Sequence, residues 1–482
     1  MDKTAGARKF DVGRATIRRL SWNAFFQYRT HYAEGDRVNP SIELGEQLGF
    51  WTLAPFACML LAVAIMPLVC SGWFEHNRNK GIVAFVLGVP TVVYLVAHFG
   101  SLGLENAAHT AEEYVQFIIL LFALFTISGG IYITGNLIAT PKTNLGFLIT
   151  GAVLASFIGT MGASMVLIRP LLRANSERTH AKHTVIFFIF AVSNVGGLLT
   201  PLGDPPLFLG FLRGVPFTWT FRLWAEWLLA VALVLVAYLA FELYYYRKES
   251  APARRIDVAD YVPMRLKGSV NVLLLALVIV TVLFSGPLAE AGEAIHFPFV
   301  RELVLVVLAV LSLVVGPKGP RASNHFSWHP IVEVAVLFAG IFATMIPALA
   351  LLQAHGPSIG LSHPWHYFWT TGGLSAFLDN APTYLAFTSV AQGQVGVDTV
   401  GALTSTAVIP GLSFSPADFL KAISCGAVML GALTYIGNAP NFAVKCIAER
   451  SGLRMPSFFG YLGYSVAILV PIFAIITAVF FL

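Results

Sequence analysis

The sequence predicts an all-α polytopic membrane protein made of two inverted repeats, each with three spans, a re-entrant helical hairpin, a broken helix and a final span. Three observations predict it. Of 482 residues, 57% are hydrophobic and only 11% are charged, against roughly 25% charged in a soluble domain; too little charge is present to cover a water-facing surface. Apolar runs long enough for a crossing, about 20 residues each, recur along nearly the whole chain, unlike the short alternating strands of a membrane barrel. One order of unbroken, over-long and interrupted runs then occurs twice.

The net charge of +5 comes from basic residues in short loops between apolar runs, a membrane-topology pattern rather than a nucleic-acid surface. Cys58, Cys70, Cys425 and Cys446 lie in or beside apolar stretches without metal or disulfide spacing, and read as small packing residues. The N-terminus has no short positive region running straight into an apolar core, so no cleavable signal peptide is read. Residues 1–50 form a polar, basic tail. It either lies on the membrane surface through Ile17, Leu20, Trp22, Phe25 and Phe26 or is loosely ordered.

The first repeat covers 51–247, with spans near 52–72, 81–98 and 114–135. The run 145–173 is too long for one comfortable crossing and centres on the small, flexible Ile158-Gly-Thr-Met-Gly-Ala-Ser164, which predicts a hairpin. The run 184–212 is interrupted by Thr200-Pro-Leu-Gly-Asp-Pro-Pro206, which no continuous helix tolerates. A span at 224–247 and a polar connection at 248–268 follow.

The second repeat, 269–482, has spans near 270–286, 301–316 and 331–352, and an over-long run 367–393 broken at Phe377-Leu-Asp-Asn-Ala-Pro-Thr383. An interrupted run 417–450, broken at Thr434-Tyr-Ile-Gly-Asn-Ala-Pro440, precedes the last span, 459–481. Thr200, Gly203, Asp204 and Pro206 overlay Thr434, Gly437, Asn438 and Pro440. Each half makes an odd number of crossings, so the second half sits upside down. Broken helices at matching places in inverted repeats point to a transporter's midplane site. Basic loop residues, among them Arg78, Lys142, Arg178, Lys182 and Arg454, share one side, the cytoplasmic side of an inner membrane. The basic tail falls on the other side, against that rule.

Irregular backbone at membrane depth must be buried in protein or line a wet cavity, so the four breaks are expected to converge. The donors they offer are Thr160, Ser164, Ser193, Asn194, Thr200, Asp379, Asn380, Thr383, Thr434 and Asn438, together with Asp204. Hard oxygen ligands of this kind suit an alkali cation rather than a soft metal. Asp204 and Asp379 stand out, because a carboxylate at the centre of a span costs roughly 2.5–3.5 kcal/mol. The alternative for each is that it caps a half-helix.

Glu105, His109, Glu112 and Glu113 lie on one helical face at the start of the third span, which suits a proton relay or pH sensor. The alternative is a set of acids favouring a helix N-terminus. The pairs His180/His183, His325/His329 and His363/His366 lack a nearby third ligand and sit beside aromatic residues, as interfacial residues do. Gly129-Gly130 and Gly196-Gly197 read as close helix-packing sites. No nucleophile–base pair or metal triad appears at depth, so an enzyme is not expected, and a channel would use a pore ring rather than discontinuous repeats.

The segments Ser193-Asn-Val-Gly-Gly-Leu-Leu-Thr-Pro-Leu-Gly-Asp204 and Leu378-Asp-Asn-Ala-Pro382, with the acid-and-histidine stretch Glu105–Glu113, resemble the ion transporter superfamily. The resemblance runs from about Trp51 to the C-terminus and is best to NhaD-type sodium/proton antiporters and the related citrate transporters. It implies a scaffold domain, a mobile transport domain holding both hairpins, elevator-type alternating access and a homodimer. NhaD-like proteins carry paired asparagines at the first hairpin tip, where this chain has Thr160-Met161-Gly162. Two cargo readings follow. In one, Asp204 and Asp379 alternately bind sodium ions and protons, a small inorganic cation being the only partner besides the bilayer. In the other, sodium or protons drive uptake of citrate or a dicarboxylate. No Arg or Lys falls at a break to clamp an anion, and Lys445 lies beyond the second one. Neither reading calls for a cofactor.

Overall fold

The computed structural model describes residues 40–249, 261–295 and 297–482. Most of the expected N-terminal tail, and the middle of the connection at 248–268, lie outside the described residues. The described residues are mostly helical, with one two-stranded sheet. Among the described residues, eight helical segments are long and apolar enough to cross a membrane, and the bent pair Ser269–Leu283 and Ser285–Gly292, at 67°, makes a ninth.

After the short helix α1 (Pro40–Gln47), the first span runs through a turn at Phe50–Leu53 into α2 (Ala54–Val69). The next helix, α3 (Asn77–Ser128), has 52 residues, about 78 Å at the α-helical rise and far more than one crossing of roughly 30 Å. Gly100 breaks it, with φ 54° and ψ −121°. Beyond that residue the chain folds back, because Gly103 packs against the backbone carbonyl of Leu95. Eight residues apart on a straight helix would be about 12 Å. The expected spans at 81–98 and 114–135 are therefore joined by a one-residue reversal, and Glu105–Glu113 lies within helix.

The third span also ends earlier than expected, at Ser128. Gly129 packs under the Phe326 ring and Gly130 against the Asn271 amide. The chain then forms β1 (Tyr132–Asn136), antiparallel to β2 (Val262–Lys267), with Tyr132 opposite Lys267. Tyr132, Ile133 and Thr134 are strand-favouring residues, and their place at the end of an apolar run hid them.

The first hairpin is α4 (Pro141–Ile158) and α5 (Thr160–Ala174), joined by Gly159 alone. The first broken helix is α6 (Lys182–Ala191), a tight turn at Val195–Leu199, and α7 (Pro205–Leu212). The half closes with α8 (Trp224–Lys248). The second half runs through α9 (Ser269–Leu283), α10 (Ser285–Ala294), α11 (Val300–Val314) and α12 (His329–Ala354). Its hairpin is α13 (Pro364–Leu378) and α14 (Asn380–Val395), joined by Asp379 alone. Its broken helix is α15 (Pro416–Leu430) and α16 (Ala439–Arg450), and α17 (Phe458–Phe480) ends the chain.

The two kinds of helix differ in burial. In α6 and the turn after it, and again in α15, nearly every side chain is enclosed by protein, whereas α2, α3, α8 and α17 turn large apolar side chains outward. A helix apolar all round and covered by protein is a core helix; here the broken helices are that core, and the continuous ones surround it.

Candidate ion-binding site

The four breaks have matching backbones in pairs. At the hairpin tips, Gly159 has φ 80° and ψ 149°, and Asp379 has φ 77° and ψ 139°. In the broken helices, Thr200 (−137°, 158°) matches Thr434 (−132°, 166°), and Asp204 (−148°, 145°) matches Asn438 (−152°, 137°). The threonines hold hairpins to broken helices in one way: Thr200 Oγ1 donates to the carbonyl of Ser156 and Thr434 Oγ1 to that of Ala376, each three residues before a tip. Gly203 meets the backbone of Gly197, and Gly437 that of Gly431, so no Cβ fits where each turn crosses itself.

Asp204 is where all four breaks touch. It is 2% exposed. Thr160, the first residue past the first tip, donates its hydroxyl to Oδ1 at 2.7 Å. Asn438, in the other broken helix, donates Nδ2 to the same oxygen at 3.0 Å. Asn380, the first residue past the second tip, donates Nδ2 to Oδ2. The Asp204 side chain does not cap its own helix α7. Asp379 does cap: it accepts from the Ala381 amide at 3.2 Å. Asp379 nevertheless lines the same cavity as Asp204.

That cavity, about 100 Å³, is bounded by Thr160, Asp204, Asp379, Asn380 and Asn438 on one side and by apolar residues such as Leu120, Phe208 and Phe338 on the other. Among the described residues no Arg, Lys or His lines it. The carbonyl oxygen Oδ1 of Asn380, a residue of this wall, is buried with no hydrogen-bond partner among the described residues. A buried acceptor left unpaired is costly, and this one points to a cation or a proton donor.

The remaining expected residues sit behind this first layer. Ser164 and Ser193 share a hydroxyl–hydroxyl bond of 2.9 Å, and Asn438 also donates to the Ser193 carbonyl at 3.1 Å. Asn194 donates to Asn441 Oδ1 at 2.7 Å. Thr383 donates to the Asp379 carbonyl at 2.7 Å, closing its own helical turn. Sequence reasoning missed Asn441, which donates at 2.9 Å to the carbonyls of both Gly431 and Thr434 and so braces the second break. Its only signal was an amide side chain in the first turn of the half-helix, directly after the Gly-Asn-Ala-Pro break.

A protein family described as "putative citrate transport" matches residues 45–481, all four breaks included. The chain belongs to that family. It is accordingly a multi-pass membrane transporter. Among curated proteins, none matches the chain.

In this family member the group around His109 is divided by the structure. Glu113 is 4% exposed and takes a two-pronged ion pair from Arg213, at 3.0 Å to Oε1 and 2.8 Å to Oε2. His109 stays largely in the open, with Nδ1 3.8 Å from Glu113; Glu112 accepts from Gln116 at 3.0 Å, and Glu105 is exposed. None of Glu105, His109 and Glu113 lines the Asp204 cavity. Arg213 follows directly on α7, the half-helix that Asp204 begins, so the pair fastens that half-helix to α3.

The histidine pairs divide too. His183 donates or accepts at 2.7 Å with the buried Glu242, which also holds Arg178 at 2.6 Å. His363 and His366 stack edge to face beside Phe414 and Trp365.

Proposed function

We propose that this transporter is a sodium/proton antiporter in which Asp204 holds a sodium ion and a proton in turn. The observation that carries the reading is a buried carboxylate in a cavity of about 100 Å³ with no cationic side chain on its wall among the described residues. The ligands offered to a sodium ion are hard oxygens: the Asp204 carboxylate, the Thr160 hydroxyl, the unpaired Oδ1 of Asn380, and Asp379 on the same polar wall. Two carboxylates with no arginine or lysine between them repel an organic polyanion and attract a cation.

Elevator-type alternating access fits this site. Asp204, Asn194 and Asn441 tie both tips and both broken helices together by side-chain hydrogen bonds, so a change of ligand at Asp204 is felt by every discontinuous element at once. Inverted repeats in an inner-membrane homodimer complete the proposal.

The second reading is sodium- or proton-coupled uptake of citrate or a dicarboxylate. The family description supports it. So does the meeting of four half-helix N-termini, at Thr160, Pro205, Asn380 and Ala439, on one cavity, because such ends attract anions.

Proteoliposomes loaded with acid separate the two. Adding sodium alone dissipates the pH gradient, and the sodium concentration giving half the response rises as the pH falls, since both ions compete for one carboxylate. A response that appears only when citrate is added with the sodium replaces this reading with the second.

A further inference from the structure

A second cavity, about 1070 Å³, opens at the other end of α5 and shares no lining residue with the Asp204 site. Its wall carries Arg169 and Arg173 from α5, Arg178 from the turn after it, Lys182 at the start of α6, Arg450 at the end of α16, and Arg454 just beyond. Among the described residues no Asp or Glu lines it.

The neighbouring carboxylates are engaged elsewhere. Glu242 holds Arg178 and His183, Glu249 accepts from the backbone amides of Thr179 and His180, and Glu449 takes Lys445 at 3.1 Å. Arg173 donates to the Tyr132 hydroxyl at 3.0 Å and to the Ile133 carbonyl. Arg169, Lys182, Arg450 and Arg454 have no carboxylate partner among the described residues, and Arg169 lies close enough to Arg173 and Arg450 to be repelled by them. A general excess of basic residues in cytoplasmic loops asks only for charge on one side of the membrane. It does not gather the charges of two distant segments into one concave space with no acid on its wall among the described residues.

We propose that this cavity binds a multivalent oxyanion of the phosphate class, held by Arg169, Lys182, Arg450 and Arg454. Guanidinium forks match such an anion two bonds at a time, and Thr179 on the wall carries a further hydroxyl. The placement gives the anion a consequence. Helix α5 runs from Thr160 to this cavity, and the second half of the other broken helix, α16, runs from beside Asn438 to it. An anion bridging Arg169 and Arg450 thus ties together, at their far ends, the two helices that start beside Asp204. The inference holds for either cargo.

The phosphate class includes lipid headgroups as well as ions in solution, and one experiment with two arms tells them apart. The full chain in nanodiscs of zwitterionic lipid is titrated with radiolabelled inorganic phosphate, and again in nanodiscs doped with phosphatidylglycerol. Saturable binding of one phosphate per chain, weakened at least about tenfold in R169Q/R450Q and largely kept in R169K/R450K, is expected for two lost charge-assisted contacts. Binding undisturbed by the anionic lipid assigns the site to a soluble anion; binding displaced by it, or lipid retention lost in the variant, assigns it to a headgroup. Both support the site. Equal phosphate binding and equal lipid retention by wild type and a folded variant overturn it, as does the absence of both in wild type. If R169Q/R450Q does not fold, K182Q/R454Q, at two exposed positions, takes its place. No transport is measured, so failure here leaves the Asp204 reading untouched, and failure there leaves this one.

Discussion

The two hairpin tips have one backbone and opposite chemistry. Both turn on a single residue with φ near 80° and ψ near 140–150°, and both then present a donor to Asp204, Thr160 to one oxygen and Asn380 to the other. The first tip makes the turn with glycine, for which this conformation is free of steric cost. The second makes it with Asp379, in a region populated almost only by glycine and costing about 1–3 kcal/mol for other residues. The broken helices show the reverse inequality, with Asp204 in the first and Asn438 in the second. Glycine suffices for such a turn, so the strain at Asp379 comes with a carboxylate that glycine would not supply. The halves share a scaffold, then, and the charge has been placed diagonally across it, one carboxylate per half, in non-equivalent elements.

That asymmetry can be broken by substitution. The largest effect is expected from Asp204→Asn, which keeps the shape and removes the charge on which Thr160, Asn380 and Asn438 converge: coupled transport in proteoliposomes falls to background while size-exclusion behaviour stays normal. Wild-type exchange by that variant would take Asp204 out of the mechanism. Moving the charge, in D204N/N438D, tests whether the halves are interchangeable. Transport should stay at background, because the donors at both tips reach residue 204; recovery would show that either break serves.

A smaller effect is expected from Thr160→Val. It removes one hydrogen bond to a charged group, worth roughly 1.5–3 kcal/mol, so the sodium concentration for half-maximal exchange should rise at least about tenfold. An unchanged value would mean that the first tip only closes the site. The smallest effect is on stability. Asp379→Gly should raise the free energy of unfolding by about 1–3 kcal/mol through relief of strain, less what the lost cap contributes, read from thermal melting in detergent. The same variant should lose exchange. Exchange that survives would reduce Asp379 to a helix cap.

Much of this site could be read along the chain. Pro and Gly inside apolar runs, at Thr200–Pro206 and Thr434–Pro440, forbid a continuous helix whatever surrounds them, and a run too long for one crossing must fold. Each tip lies inside its expected stretch, Gly159 within 158–164 and Asp379 within 377–383. Asp204 and Asp379 were visible because a carboxylate among apolar residues has few harmless explanations. The reversal at Gly100 was harder to see, since a lone glycine in an apolar stretch often continues a helix. The strand at Tyr132–Asn136 was hidden because its partner, Val262–Lys267, lies 131 residues away where Thr134 pairs Arg265. The Glu113–Arg213 pair spans 100 residues, and in the sequence Glu113 looked like one acid of a local group.

The sequence by itself determined the solvent, the breaks and the kinds of ligand, because these depend on hydrophobic length, on backbone chemistry and on residues that are costly at depth. Only the tertiary structure decided which ligands meet. Of the breaks, it set Asp204 at the crossing point, left Asp379 capping its own helix at the edge of the same cavity, and turned Ser164, Ser193 and Asn194 to the layer behind. It also separated Glu113 from the site and gathered the arginines of two distant segments around one space. Such pairings depend on how helices far apart in the chain pack, and residue spacing carries no record of them.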